Sequence, residues 1–387
     1  MRLSEGGGFI GFTCARICDI IVTMNILRLE LNYFRNYLAQ RAELSPGINI
    51  FSGDNAQGKT NLLEAVYFMS LGKSMRTPRD KELIMWGHTR GRVKAEINKR
   101  AGVGTVEIVL DCAVNKRVAV NGMPITRIGE LMGALTTVLF SPDEIAIIKD
   151  TPQKRRKFMD IALCQLSKSY FYCLSDYNKI LAQRNKLLKK HAPVSAVEVW
   201  DVQLIENCAK IVRTRREFVR RLEKYAAESH SFLTDGKEKL SISYEGTEGE
   251  TRQEIKDNFT EKLKAGLEAD YKHGFTHCGP QTDDLAVMLD GVDVRKYGSQ
   301  GQQRSGALSL KLAEMSLYKD EQGEYPVLLL DDVFSELDKT RAARLAEAVS
   351  GFQTIITCTH LPSEIKSVLG EYKEFSVSGG KAEPIQK

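Results

Sequence analysis

The chain has 387 residues, 42% hydrophobic and 27% charged, a globular balance that excludes wholesale disorder and a collagen-like fibre. No apolar run approaches the roughly 18 residues of a membrane-spanning helix, so we do not expect an integral membrane protein. We expect a cytoplasmic protein that has no membrane partner. This length predicts two or three domains. The eight cysteines form no Cys-x-x-Cys pair, which favours buried thiols over structural zinc or disulfides.

The net charge of +5 is spread unevenly along the chain. Residues 150–240 contain 19 Lys and Arg against 11 Asp and Glu, a net charge of +8 that leaves −3 for the remainder. A basic segment inside a nearly neutral chain indicates a localised surface for a polyanion.

Hydrophobic periodicity predicts the following elements in chain order. Regular patterning begins at Met24 with an alternating strand over 26–33, so we expect residues 1–23 to be a disordered extension or a misassigned start, with a short N-terminal strand as the alternative. Further strands are predicted at 48–51, 93–97, 105–110, 118–120, 136–140, 240–244, 285–289, 327–330 and 353–357. Helices are predicted at 61–69, 153–190, 200–233 and 307–319.

A glycine-rich segment between the strand at 48–51 and the helix at 61–69 matches G-x-x-x-x-G-K-[ST] in full. Its residues are Gly53, Asp54, Asn55, Ala56, Gln57, Gly58, Lys59 and Thr60. The glycines allow backbone N–H groups to face phosphates, and the N-terminus of the following helix adds a positive field. We expect Lys59 to contact the β- and γ-phosphates of ATP and the Thr60 hydroxyl to ligate Mg²⁺.

Two acids follow the wholly apolar strand at 327–330, as expected of a strand buried in a parallel sheet. We expect Asp331 to hold Mg²⁺ and Asp332 to polarise the attacking water. Two solvated acids would be the simpler interpretation of this pair alone, but the phosphate-binding loop favours catalysis. His360, at the end of the next strand, is a second catalytic candidate that could contact a γ-phosphate.

A third segment precedes the helix predicted over 307–319. Ser299 is a suitable cap for that helix, and Gly301 and Gln302 complete an S-x-G-Q motif whose backbone amides could bind an anion. The order of these segments resembles the ATP-binding-cassette superfamily. In that superfamily the S-x-G-Q segment contacts the γ-phosphate bound by another subunit, so the resemblance implies a head-to-tail dimer that forms on ATP.

The basic segment supplies candidates for DNA contact, with a solvated helix face as the simpler alternative. The candidate residues are Arg155, Arg156, Arg213, Arg215, Arg216 and Arg220.

Several runs of sequence resemble the RecF family. Residues 31–37 are similar to its L-x-N-F-R-N-Y opening, residues 140–160 to its F-x-P segment with the following P-x-x-R-R, and residues 330–338 to its L-D-D-V-F-S-E-L-D. One departure is Gln281-Thr282, where the family commonly has His-Arg, which puts a role of that loop in DNA or nucleotide contact in doubt.

The resemblance implies an α/β P-loop ATPase of the ATP-binding-cassette type with an inserted helical lid. We expect the ATPase head to comprise 24–150 and 275–387 and the basic insert to comprise 151–274. The implied function is an ATP-dependent clamp on single-stranded, gapped or junction DNA that helps load the strand-exchange recombinase, with RecO and RecR as partners, a role in the SOS response and slow hydrolysis. A cassette ATPase coupled to a membrane permease and a DNA binder without hydrolysis are the alternatives.

Overall fold

The computed structural model describes residues 23–385. The expectation for residues 1–23 therefore lies outside the described residues, except for Thr23, which forms a β-bridge with Tyr325. The strands are β1 Asn25–Phe34, β2 Tyr37–Glu43, β3 Ile48–Ser52, β4 Arg90–Lys99, β5 Gly102–Asp111, β6 Arg117–Val120, β7 Met123–Ile125, β8 Thr137–Phe140, β9 Leu240–Glu245, β10 Asp284–Leu289, β11 Val292–Asp293, β12 Val327–Asp331, β13 Thr354–Cys358, β14 Tyr372–Ser378 and β15 Lys381–Pro384. The helices are α1 Lys59–Leu71, α2 Ala146–Lys149, α3 Pro152–Leu166, α4 Lys168–Lys189, α5 Val194–Thr234, α6 Arg252–His273, α7 Val294–Tyr297, α8 Gln300–Gln322, α9 Lys339–Ala348 and α10 Ser363–Leu369.

The nucleotide-binding motifs lie on a mainly parallel sheet of six strands in the order β15-β14-β3-β13-β12-β8. Its central strands are short and apolar because helices and a second sheet cover both faces. The pairing register sets Ser52 beside Cys358 and Asp331 beside Thr357. The carboxyl ends of β3, β12 and β13 therefore meet at one edge of the sheet, as the sequence predicts.

A second sheet is antiparallel, in the order β2-β1-β4-β5-β6-β7. Burial alternates along β4, where Val93, Ala95 and Ile97 are buried between half-buried polar neighbours. The β6–β7 hairpin turns at Asn121 and Gly122, which both have positive φ, as a tight hairpin of this type requires.

The region between β8 and β10 is mainly helical, as the sequence predicts, but the single helix predicted over 153–190 is divided into α3 and α4, and α6 was not predicted. Helix α5 has 41 residues and is therefore about 60 Å long. It packs against α4 and α6 and runs antiparallel to α8, since Arg221 pairs with Glu321 while His230 contacts Ser309. Strand β9 pairs with β10, which joins the insert expected over 151–274 to the segment that follows it.

No helix among residues 23–385 has both the length and the apolar composition needed to cross a membrane.

Candidate nucleotide site

The phosphate-binding loop connects β3 to α1. Gly58 has φ 118° and precedes the first residue of α1, and Ala56 has φ 65°, so the loop curls through left-handed conformations as its motif requires. Lys59 is buried and its Nζ donates to the carbonyl oxygens of Gly53 (2.6 Å) and Asp54 (2.7 Å). The ammonium group is thus held within the curve of the loop, where phosphate oxygens would need a cation.

Residues of the turn between β1 and β2 support this loop from one side. Asn36 Nδ2 donates to the carbonyl oxygen of Gln57 (2.8 Å), and the hydroxyl of Tyr37 donates to that of Gly58 (3.1 Å). Arg35 forms a bidentate pair with Glu64 of α1, a fully buried carboxylate, with both distances at 2.8 Å. The sequence motif over 31–37 therefore positions the loop and its helix, a role that sequence reasoning did not assign.

The turn between β14 and β15 supports the loop from another side. The Gly379 N–H donates to Gln57 Oε1 (2.7 Å) and the Gly380 N–H donates to the Gln57 carbonyl oxygen (3.1 Å). A Cβ on Gly380 would lie 2.1 Å from the carbonyl oxygen of Asn36, and one on Gly53 would lie 2.2 Å from that of Val377. These glycines are needed because the backbones approach too closely for any side chain.

The strand β12 delivers its first acid to the loop. Thr60 Oγ1 donates to Asp331 Oδ1 at 2.9 Å, and Thr357 Oγ1 of the neighbouring strand donates to the same oxygen at 2.6 Å. The hydroxyl and the carboxylate are hard oxygen ligands in direct contact, which is the donor set that Mg²⁺ prefers. Thr357 fixes the Asp331 carboxylate and was not singled out from the sequence.

The second acid, Asp332, has a left-handed backbone with φ 51°. Its N–H donates to the Thr357 carbonyl oxygen (3.0 Å), while its Oδ1 is buried without a hydrogen-bond partner among residues 23–385. A buried carboxylate oxygen without a partner is costly unless a ligand or water satisfies it. Because it adjoins Asp331, this oxygen could hold a water molecule beside the phosphates. His360 is exposed just beyond β13, and its catalytic role remains a prediction.

A cavity of about 350 Å³ includes Thr60 and Asp331 in its wall. Lys154 and Lys157 of α3 also line it, together with Arg76. The wall also includes Lys311 and four acids, Asp143, Glu144, Glu314 and Asp331, so it carries charges of both signs. The first two lysines of the basic insert thus line the same cavity as Thr60 and Asp331.

The third predicted segment forms the start of α8. Ser299 caps this helix in a reciprocal capping box with Gln302, whose Nε2 also donates to Glu238 Oε1 (2.9 Å). Ser299 is exposed, and a Cβ on Gly301 would lie 3.5 Å from the Arg341 guanidinium. All the hydrogen bonds described for the Ser299 and Gln302 side chains stay within this cap or go to Glu238.

Two of the arginines predicted to contact DNA do not lie on the surface, so this prediction is wrong for them. Arg155 is buried and forms a bidentate ion pair with Asp284 (2.6 and 2.8 Å). Arg215 is 2% exposed and is bonded to Asp160, Asp283 and the Pro280 carbonyl oxygen. Both guanidinium groups join the insert to neighbouring elements and have no surface left for a phosphate.

The other four arginines retain some accessibility. Arg213 and Arg220 are exposed on α5. Arg156 and Arg216 are half-buried and donate to the carbonyl oxygens of Asp283 (2.6 Å) and Thr247 (2.8 Å).

The loop that contains Gln281 and Thr282, where the sequence departs from the family pattern, has a structural role of its own. The side chain of Gln281 donates to the carbonyl oxygen of Cys278 (2.7 Å) and accepts from the Tyr177 hydroxyl, and Thr282 Oγ1 donates to the Gly279 carbonyl oxygen (2.7 Å). These contacts close the loop against α4, so the two substituted residues are used internally.

A parallel sheet with a phosphate-binding loop, a paired acid strand and a capped signature helix defines a P-loop ATPase head of the cassette type. A family model described as the RecF/RecN/SMC N terminal domain matches residues 25–369. The chain is 42% identical over 364 residues to the DNA replication and repair protein RecF of Lachnoclostridium phytofermentans, covering 93% of this chain and 99% of that protein. It is 45% identical over 347 residues to that of Halothermothrix orenii, covering 87% and 92%.

Among solved structures, the recombination mediator protein RecF with ATPrS has a TM-score of 0.88 at 34% identity and covers 95% of this chain and 99% of that chain. The Smc head domain from Pyrococcus furiosus has a TM-score of 0.58 at 17% identity over 94% and 96% of the two chains, which supports the fold. The chain belongs to the RecF family.

Proposed function

We propose that this protein is an ATP-dependent DNA-binding protein of replication and recombinational repair that dimerises on ATP and hydrolyses it slowly. The observation that carries the proposal is the contact of Thr60 with Asp331 at 2.9 Å, beside the unpartnered Oδ1 of Asp332. A metal-ligand pair beside a carboxylate that can orient water is what hydrolysis of a phosphoanhydride uses, so this observation supports the ATP-hydrolysing part of the proposal.

The residues fit ATP with Mg²⁺. Lys59 and the amides at the start of α1 would hold the phosphates, and Thr60 and Asp331 would hold the metal, which supplies charge neutralisation when bound. Asp332 would orient the attacking water and accept its proton through Oδ1, which has no hydrogen-bond partner among the described residues 23–385. His360 is a further candidate for contact with the terminal phosphate.

The proposal that the site is completed by a second copy rests on the start of α8. Ser299 and Gln302 form a cap that is exposed and oriented by Glu238. Backbone amides at such a helix start bind anions. In a head-to-tail dimer each copy would contribute this cap to the phosphates held by the other, so a monomer would bind ATP without efficient turnover.

DNA is the proposed polyanion because the insert carries the excess positive charge. Arg213 and Arg220 are its exposed candidates on α5, and Arg156 and Arg216 are secondary candidates because part of each guanidinium group is already bonded. The solved relative is described as a recombination mediator in the RecFOR pathway. We extend this to the chain by proposing RecO and RecR as partners, loading of the strand-exchange recombinase at gaps or junctions and support of the SOS response.

Sedimentation with ATP, with ADP and without nucleotide, each with and without gapped DNA, tests the proposal. We expect a dimer with ATP alone and a DNA complex that persists with ATP and dissociates with ADP. Phosphate release should rise on addition of DNA. A protein that stays monomeric with ATP, or whose hydrolysis DNA leaves unchanged, would contradict the proposal.

A further inference from the structure

The segment between α1 and β4 carries the most exposed large hydrophobic side chain described in residues 23–385. Trp86 is 97% exposed, whereas the preceding Leu83 and Ile84 are buried. Burying a large apolar side chain stabilises a protein by about 1.5–3 kcal/mol, and a fully exposed indole ring does not gain this free energy. A single exposed apolar side chain is common on protein surfaces, so the significance of Trp86 depends on the residues around it.

The turn that carries Trp86 is held rigidly. The His88 N–H donates to the Met85 carbonyl oxygen (3.0 Å) and closes a four-residue turn whose third residue, Gly87, has φ 82°. A turn with positive φ at this position requires glycine. The Met85 N–H in turn donates to the Tyr33 carbonyl oxygen (2.8 Å), which fixes the turn to the end of β1. Trp86 is therefore presented without a large further loss of backbone entropy on binding.

Two more π surfaces lie close to Trp86: Tyr33 is in β1, to which the turn is bonded, and His88 is the last residue of the turn. The rings of Tyr33 and His88 are stacked with centroids 4.2 Å apart, and Tyr33 remains 39% exposed. Tyr33 has φ 48°, an uncommon conformation for an aromatic residue. A Cβ on Gly91 would lie 2.8 Å from the Tyr33 carbonyl oxygen, so the glycine permits this close approach.

The chain around the turn is basic. Residues 73–92 contain six Lys and Arg against two Asp and Glu, a net charge of +4. Arg90 and Arg92 are paired with acids outside this segment, whereas Lys73, Arg76, Arg79 and Lys81 are exposed. Flat aromatic rings in a segment with exposed cations match a single nucleic-acid strand, because bases stack on rings while phosphates contact cations. A protein partner with an apolar groove would not require this charge.

We propose that Trp86, with Tyr33 and His88, forms a stacking platform for an unpaired base of DNA. The platform lies outside the basic insert, and it rests on the proposed DNA-binding function, which it makes specific for single-stranded or gapped substrates. In a duplex only the terminal base pair has a free face for stacking, whereas every base of an unpaired strand is accessible. The platform therefore distinguishes unpaired from paired strands.

The sequence offers a direct reporter, since the chain has two tryptophans, Trp86 and Trp200. In Trp200→Phe, intrinsic tryptophan fluorescence comes from Trp86. We expect oligothymidylate to quench it, a blunt duplex to quench it far less and ATP alone to leave it unchanged. Trp86→Ala should weaken binding of labelled oligothymidylate, measured by anisotropy, by about 5- to 150-fold, the value of one stacked base. Trp86→Phe should restore most of the affinity.

Met123→Ala is the matched control, because Met123 is an apolar side chain that is 70% exposed on β7, in the sheet that also contains Tyr33. The DNA affinity of this variant should equal that of the wild type. The platform is refuted, and the proposed DNA function stands, if anisotropy shows that oligothymidylate binds, the fluorescence of Trp86 does not change on binding and Trp86→Ala binds as tightly as the wild type. If ATP alone changes the fluorescence of Trp86, and the change grows with protein concentration, a second copy of the chain covers Trp86. This result would also overturn the platform. If the wild type binds no DNA in anisotropy, the proposed function itself fails.

Discussion

Substitution of Arg215 by methionine tests whether the basic helix uses its cations inside the protein or on its surface. The Arg215 guanidinium donates to both oxygens of Asp160 (2.8 and 3.0 Å) and lies 3.4 Å from Asp283. Arg215→Met keeps an unbranched apolar side chain in place of the arginine's aliphatic portion, and it leaves two carboxylates without their counter-ion. Breaking a buried ion pair from one side costs about 3–5 kcal/mol of folding free energy. At roughly 2 °C per kcal/mol for a larger domain, the melting temperature should fall by about 6–10 °C.

The matched control is Arg220→Met on the same helix. The Arg220 side chain is 75% exposed and pairs with Glu217 on the surface. Such a pair contributes at most about 1 kcal/mol, so this variant should melt near the wild type. The assay is thermal unfolding of both variants, with DNA affinity measured on the same preparations. If Arg215→Met melts like the wild type and loses DNA affinity with a reduced salt slope, Arg215 contacts phosphate and the structural account is refuted.

The loss of folding stability in Arg215→Met should also depend on pH. Burial raises the pKa of Asp283, with Arg215 and the Tyr244 hydroxyl opposing that rise. A carboxyl whose pKa is higher in the folded than in the unfolded state gains protons on folding, so its contribution to stability increases as pH falls toward 3.8. Without Arg215 the pKa of Asp283 should rise further. The melting difference between variant and wild type should therefore narrow on acidification, and a difference that is constant from neutral to acidic pH would argue against Asp283 as the uncompensated charge.

Three further predictions concern the nucleotide site and the surface of α5. Lys59→Ala removes the cation held in the phosphate-binding loop and should abolish ATP binding in a filter or fluorescence assay; unchanged affinity would refute the loop assignment. Asp332→Asn should still bind ATP and should release phosphate more slowly by a factor of about 10²–10⁴. A near-normal rate would mean that another residue is the general base, and His360 would be the next candidate. Arg213→Glu with Arg220→Glu should reduce the slope of log affinity against log salt by about 0.7–0.9 per lost contact, whereas an unaltered slope would mean that this face is only solvated.

The central sheet and the phosphate-binding loop could be predicted from sequence because their signals are local. The motif from Gly53 to Thr60 lies between an apolar strand and a helix, and each of these is recognisable within about ten residues. The contact of Thr60 with Asp331 was also expected, because parallel strands bring their carboxyl ends to one edge. In these places hydrophobic burial and backbone chemistry alone determine the arrangement.

The supports of the loop could not be predicted, because they join distant parts of the chain. Asn36 and Gly380 both contact Gln57, yet they lie 21 residues before it and more than 300 after it. Strands β14 and β15, which bring Gly380 to Gln57, show only weak alternation of apolar and polar residues and were not predicted. Only the three-dimensional packing shows that these positions need an amide and a residue without a side chain.

The burial of Arg215 had a signal that was overlooked. Val212, Val219 and Leu222 form part of an apolar stripe along α5, and residue 215 falls three positions after Val212 on the same face. A cation on an apolar stripe needs a buried partner. Its partners, Asp160 and Asp283, come from α3 and from the loop before β10, so their identity could not be read from the helix alone.

The central claim, that each ATP site is completed by the other subunit, is tested most directly by mixing two inactive variants. Lys59→Ala lacks a phosphate-binding lysine and keeps the Ser299 cap, while Ser299→Arg keeps the lysine and blocks the cap. In a head-to-tail dimer of the two, the loop of the Ser299→Arg subunit faces the intact cap of the Lys59→Ala subunit, so one complete site forms. The account predicts phosphate release from the mixture that neither variant shows alone. A mixture as inactive as its components, or a Ser299→Arg variant that hydrolyses ATP normally by itself, would contradict it.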